Sequence, residues 1–315
     1  MLREKTLPRV SVGLPTYNRA ITLKQTINSV LNQDYANIEL IISDNASTDQ
    51  TQAICEGFGC KDGRVKYIRQ EYNRGPVANF REALNNSSGE FFMWLSDDDW
   101  LDSSYISECV KTLLKEKDLS LVAGKTIYYH SDNSSYEETI INHLQNSGVI
   151  RLLDYYVRLR SNSFFYGVMR RKDLENVRFP NTIGTDGLIM AVIVYLGKTR
   201  VLDNISIHRR LGGSSANFRK LASILKLPKL EVLFPVVGFA VHAFKDISFR
   251  VPIFSRLGKV RRHIIAIYVF FIIIFMKSVP LMFIESSKNV LKLCFGERRT
   301  KEIRSFLKKI IVRSV

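Results

Sequence analysis

Between Val10 and Leu114, short apolar runs alternate four times with amphipathic helical patterns, and this narrows the possible folds more than any other property of the chain. Val10–Leu14, Ile38–Ile42, Val65–Ile68 and Phe91–Leu95 have the length and apolar density of sheet strands; Ile38–Ile42 reads as buried on both faces. Helical spacing follows them, as in Leu23, Ile27, Val30 and Leu31, or in Ile106, Cys109, Val110, Leu113 and Leu114. Such repetition predicts an α/β fold with a Rossmann-like, doubly wound sheet. Pro15 is expected to stop the first strand. Further on, Leu119–Tyr129 and Phe164–Met169 read as strands, residues 131–135 as a polar loop and Leu152–Leu159 as a helix.

Loops after parallel strands gather along one edge of a sheet, where ligands bind. Here those loops carry Tyr17, Asp44, Arg74 and the run Asp97, Asp98, Asp99. Adjacent carboxylates repel one another unless a cation or a basic group joins them, and a hard divalent ion is the natural partner. Helix capping by Asp99 or Asp102 is the simpler alternative. No G-x-G-x-x-G follows the first strand and no G-x-x-x-x-G-K-[ST] occurs anywhere, so dinucleotide and P-loop readings lose their main support. The cysteines, Cys55, Cys60, Cys109 and Cys294, show no metal-ligand spacing and read as reduced thiols.

Four segments in order, Val10-Ser-Val-Gly-Leu-Pro-Thr-Tyr-Asn18, Ser43-Asp-Asn-Ala-Ser-Thr-Asp49, Asn73-Arg-Gly75 with Asn79, and Gly89 through Asp99, resemble the family 2 glycosyltransferases. The resemblance covers roughly residues 8–215 and implies the nucleotide-sugar-binding GT-A fold. It implies that Pro15, Thr16 and Tyr17 touch the donor nucleotide, that Asp44 pairs with its base, and that Arg74 lies near the base or diphosphate. Asp97 and Asp98 would serve the donor, and Asp97 and Asp99 a Mn²⁺ or Mg²⁺ ion. Many relatives read D-A-D-D where this chain has Ser96 at the first acid. Asp186, read alone, is an acid near a helix N-terminus; the resemblance makes it the catalytic base. His208 reads alone as a structural strand-end histidine, whereas the resemblance would set His208 and Arg210 against diphosphate or metal.

Of the +16 net charge, +11 lies in residues 256–315, where 14 Lys and Arg oppose 3 Glu. Ile264–Met276 is apolar all round but shorter than the roughly 20 residues that cross a bilayer, and basic residues flank both its ends. A helix or hairpin dipping into one leaflet is expected there, and Arg298–Val315 reads as an interfacial amphipathic helix suited to anionic lipid. The N-terminus has no apolar signal-peptide core, which leads us to expect a cytoplasmic catalytic part.

These readings divide the chain into a GT-A domain over 1–215 and a helical, membrane-associating region over 216–315. They describe a metal-dependent inverting glycosyltransferase on the cytoplasmic face of the inner membrane, peripheral or monotopic. It would use a nucleotide-sugar donor and a lipid-linked glycan acceptor in bacterial surface polysaccharide (O-antigen or capsule) assembly, with no nucleic acid partner. The alternatives are a polyprenyl-phosphate glycosyltransferase, a non-catalytic membrane-bound glycan or nucleotide module, and a tail that binds nucleic acid.

Overall fold

Strands β1 (Val10–Thr16), β2 (Ile38–Asp44), β3 (Val65–Arg69) and β4 (Phe91–Trp94) form the parallel half of one sheet, in the order β3-β2-β1-β4. The computed structural model describes residues 7–132, 134–159, 162–211 and 218–276. β1 and β4 are buried along their whole length, and β4 is apolar throughout, whereas β1 sets small or polar residues between Val10, Val12 and Leu14. Helices α1 (Leu23–Leu31), α2 (Thr51–Gly59) and α3 (Pro76–Asn85) make the crossovers. Gly75, at φ 84°, takes a left-handed turn into α3, and Pro76 occupies the first helical position, where its missing N–H costs nothing.

Pro15 does not end β1; it pairs in register with Ser43 of β2. β4 accompanies β1 only as far as Gly13, so the proline stands where one side of the strand has no ladder to serve.

Past β4 come β5 (Trp100–Leu101), α4 (Tyr105–Lys115), β6 (Leu119–Tyr129), β7 (Ser135–Glu138), α5 (Gly148–Arg158), β8 (Val168–Arg170), α6 (Thr185–Leu196) and β9 (Lys198–Arg210). They extend the sheet as β4-β8-β6-β9-β5, with β7 beside β6 and β8 antiparallel to both its neighbours. The sheet is therefore mixed. The strand expected over Phe164–Met169 is instead a 3-10 turn, Ser163–Tyr166, followed by the short β8. At Gly167, between them, an added Cβ would lie 2.8 Å from the Val122 carbonyl oxygen, so only glycine lets the chain press this closely on β6. β7 lies in and beyond the segment expected to be loop.

One apolar cluster lies between the parallel strands, α1 and α4. The other joins Trp94 to α5, α6 and the C-terminal helices. Those helices are α7 (Phe218–Ile224), α8 (Lys229–Leu233), α9 (Pro235–Lys245) and α10 (259–276). Ala240 and Ala243 of α9, and Ile265, Ala266, Val269 and Ile273 of α10, are buried in the same cluster as Tyr155 and Met190. Residues up to 276 thus pack on the sheet domain. Among the described residues no helix is long and apolar enough to cross a membrane. Cys294 and the amphipathic pattern of Arg298–Val315 lie outside the described residues. Cys55 and Cys109 are buried, and Cys60 is exposed.

Trp94, the last residue of β4, stacks on Phe165 at 4.7 Å, meets Phe92 edge-on at 4.8 Å, and donates from Nε1 to the Phe80 carbonyl at 3.0 Å. Trp94→Ala should lower stability by about 3–5 kcal/mol in urea unfolding, and Trp94→Phe by clearly less.

Candidate active site

Thr16, Asp44, Arg69 and Trp94 end the four parallel strands along one edge, so the loops beyond them share a crevice. Buried Asn79 ties this edge together. Its Oδ1 accepts from Ser43 and Gln70, each at 2.7 Å, and its Nδ2 donates to the Thr16 carbonyl at 3.1 Å. Asn18, with φ at 53°, clasps the loop after β2: its N–H donates to Ser47 Oγ and its Oδ1 accepts from the Thr48 N–H. Pro15 and Thr16 are buried beneath, and the Tyr17 side chain is exposed at the mouth.

Asp97, Asp98 and Asp99 stand at the centre. Arg19 approaches Asp97 at 3.4 Å and Asp98 at 3.8 Å, and Arg209 holds Asp99 at 2.8 Å. Arg209 is itself wedged between aromatic rings, its guanidinium 4.4 Å from the Tyr166 centroid and 5.4 Å from that of Tyr128. Burial pushes the Asp97 carboxyl up to about 7, and the Asp98 charge adds to it; Arg19, the Thr16 hydroxyl and the Tyr17 backbone N–H oppose the shift. Burial likewise raises Asp99 to about 6, with Arg209 opposing and Asp98 adding. Side-chain exposure separates the acids: 11% for Asp97, 13% for Asp98 and 1% for Asp99. Asp97 and Asp98 keep a narrow exposed edge beside Arg19. Asp99, expected to bind metal, is committed to Arg209.

Asp186 enters from the other half of the sheet, in the first turn of α6 after Gly184 at φ 79°. Asn162 Nδ2 donates to its Oδ2 at 3.0 Å, and the Tyr155 hydroxyl fixes Asn162 Oδ1 at 3.1 Å. Half-buried Tyr166 packs against both apolar clusters, beneath the Arg209 guanidinium. Burial raises its ionisation well above the usual range; Arg209 opposes, while the charges of Asp99, Asp186 and Asp98 all add. Hydrogen bonds follow the same line: Arg209 donates to the Tyr128 hydroxyl at 3.1 Å, that hydroxyl meets Ser163 Oγ at 2.9 Å, and the neighbouring Asn162 holds Asp186.

The remaining expected residues have internal commitments. Asp44 is fully buried; its Oδ1 accepts from the Ser47 N–H at 2.9 Å and hydroxyl at 2.5 Å, and its Oδ2 accepts from Tyr67 at 2.7 Å. Arg74 is exposed and faces Glu82 at 3.5 Å. His208 meets Asp102 through Nε2 at 2.8 Å and the Tyr129 hydroxyl through Nδ1 at 3.0 Å, and its ring stacks on Trp100. Arg210 donates to Gln25 at 2.7 Å and lies over Trp100. Gly212–Ser215 lie outside the described residues. Sequence reasoning missed Arg19 and Arg209. For Arg209 a signal was present: it continues the inward alternation of Ile205 and Ile207.

A divalent cation fits this donor set. Asp97 and Asp98 crowd one guanidinium, that of Arg19, and the Asp98 charge helps to raise Asp97; a divalent cation beside them would relieve that repulsion. Among the described residues no three His, Cys, Asp or Glu side chains form a ready-made cage. An ion bound here would be held by one or two carboxylates and completed by substrate phosphates.

Residues 11–178 match the family described as Glycosyl transferase family 2. Among curated proteins, the GalNAc(5)-diNAcBac-PP-undecaprenol beta-1,3-glucosyltransferase of Campylobacter jejuni is 30% identical over 235 residues, covering 71% of this chain and 74% of that protein. An uncharacterized glycosyltransferase of Haemophilus influenzae is 27% identical over 249 residues, or 76% of this chain and 96% of its own. Among solved structures, S. aureus TarS 1-349 in complex with UDP-GlcNAc superposes with a TM-score of 0.54 at 21% identity, covering 85% of this chain and 81% of that one. At that identity the likeness is one of fold.

Arg209→Met should lower stability by about 3–5 kcal/mol, because it leaves Asp99 buried without a partner. In urea unfolding, Asp99→Asn combined with Arg209→Met should cost clearly less than the sum of the two single changes.

Proposed function

Because the chain belongs to glycosyl transferase family 2 and is a glycosyltransferase of GT-A-like α/β fold, we propose that it moves a sugar, with inversion and metal dependence, from a nucleotide-sugar donor to a hydroxyl of a lipid-linked glycan. The observation that carries this reading is the run of contacts from Asp99 through Arg209 and the Tyr128 hydroxyl to Ser163, whose neighbour Asn162 holds Asp186, which links the donor-side acid cluster to a candidate base. The named acceptor lipid of the Campylobacter relative and the UDP-GlcNAc complex of TarS support the two substrate classes. The proposed setting is surface polysaccharide assembly at the cytoplasmic face of a bacterial membrane.

Tyr17, exposed at the mouth, and the ends of β1 and β2 would receive the nucleotide. Asp97 and Asp98, the two acids of the cluster with some exposed surface, would hold Mn²⁺ or Mg²⁺, with Asp99 kept back by Arg209. When bound, such an ion neutralises charge that develops on the leaving diphosphate. Asn162 orients Asp186, whose carboxylate takes the acceptor hydroxyl proton. The acceptor oxygen then bonds to the anomeric carbon as the bond from that carbon to the diphosphate oxygen breaks, and the electron pair leaves with the nucleoside diphosphate.

Asp186→Asn should lower kcat by about 10²–10⁴-fold while leaving the thermal shift caused by donor unchanged; intact turnover would instead favour a phosphate acceptor, which needs no strong base. In a thermal-shift screen of UDP-, GDP-, CDP- and dTDP-sugars, the stabilising donor should act more strongly with Mn²⁺. Asp98→Asn should abolish that metal-dependent increment, and donor binding indifferent to metal would overturn the assignment.

A further inference from the structure

Helix α10 carries apolar residues on two opposite faces. Ile265, Ala266, Val269 and Ile273 are buried against the domain. On the other side Val260, Ile264, Ile267, Tyr268, Phe271 and Phe275 are 47–75% exposed. At the helical rotation per residue, these six side chains fall within an arc of about 100°. An exposed stripe of this length and width marks a surface that meets something apolar. Phe249, also exposed, prolongs it, with its ring edge-on to His263 at 5.0 Å.

Charge identifies the partner. Arg256, Lys259 and Arg261 are exposed at or just before the start of α10, and residues 259–276 contain no Asp or Glu. Cations in a first turn oppose the helix dipole, so they do not serve the helix itself. Among the described residues none of the three forms an ion pair with a carboxylate. A second copy of this chain would bring the same positive charge to the contact, whereas a phospholipid surface supplies both the apolar layer and the phosphates.

We infer that the exposed face of α10 docks on an anionic lipid surface, with the helix lying in its plane. The apolar stripe enters the boundary between headgroups and acyl chains, and Arg256, Lys259 and Arg261 meet the phosphates. Since the opposite face is part of the domain core, α10 does not leave the domain to dip into the leaflet. This deepens the lipid-linked-acceptor reading, on which it rests for the setting, by naming the face that meets lipid.

Flotation of the full chain with vesicles tests the proposal. The protein should float with vesicles of phosphatidylglycerol and phosphatidylcholine, and less with phosphatidylcholine alone or in high salt. Phe271→Ser combined with Phe275→Ser should weaken vesicle binding on the order of a hundredfold, as expected when two inserted rings are removed, and Lys259→Glu with Arg261→Glu should remove the preference for anionic lipid. An unchanged far-UV spectrum and urea midpoint would show that these exposed changes spare the fold. Undiminished flotation of the Phe variant would overturn the proposal, as would a wild-type chain that ignores vesicles but forms a dimer the Phe variant loses. The donor thermal shift, read on the same proteins, keeps the two ideas apart: losing it while flotation persists would sink the donor reading and leave the docking face standing.

Discussion

The buried pair of Arg209 and Asp99 holds the two halves of the sheet together at the crevice. Asp99 follows β4, in the parallel half, and Arg209 lies near the end of β9, beyond the antiparallel β8. Ion pairs taken out of water add little net stability, because desolvation offsets much of their attraction. What this one does is fix an arrangement. Asp102 reinforces it, accepting from the Ser206 N–H at 2.7 Å and meeting His208, while Trp100 pairs with His208 across β5 and β9. From the opposite side, Thr22 and Thr26 of the α1 region donate to the backbone carbonyls of Asp97 and Asp99. The acid loop is therefore held by its backbone, by Asp99 on Arg209, and by Asp97 and Asp98 beside Arg19, so the carboxylates are in place before any ligand arrives.

This arrangement explains which parts of the structure could be read from the sequence. β2 and β4 announced themselves because strands covered on both faces are largely apolar, and the helical periods after each strand marked β1 and β3. β5 has two residues and β7 is a mostly exposed edge strand, so neither carries a hydrophobic period to detect. Strand-end acids were legible as a cluster, but not their division of labour, which depends on which carboxylate Arg209 reaches from a strand more than a hundred positions away. Attention to His208 and Arg210 missed the residue between them, although the alternation of Ile205, Ile207 and Arg209 was visible. Asn79 stood out in a motif, yet only three-dimensional contacts show it as the knot joining β1, β2 and β3.

The C-terminal helices pose the opposite difficulty. Apolarity all round α10 marks it as unusual but gives no direction, since periodicity identifies a buried face only by contrast with a polar one. The core supplies the direction by burying Ile265, Ala266, Val269 and Ile273. Even then the sequence could not show that these helices touch the site. A Cβ added at Gly184 would lie 2.8 Å from the Phe239 ring, so α9 sits directly on the turn that sets Asp186.

If Asp186 is the base and α10 the lipid face, their sharing one packed cluster has a mechanical consequence. An acceptor anchored in lipid brings its reactive hydroxyl to a height above the bilayer set by the length of its glycan. An enzyme tethered by a loose tail would meet that hydroxyl at many heights and orientations. Here α6, which carries Asp186, shares its core with the buried side of α10 through α9, without an intervening linker. Close-packed interiors transmit position with little slack. With α10 seated on lipid, Asp186 would be held at a set distance from the surface, so acceptors would be sorted by the length of glycan already attached as well as by the sugar at its end.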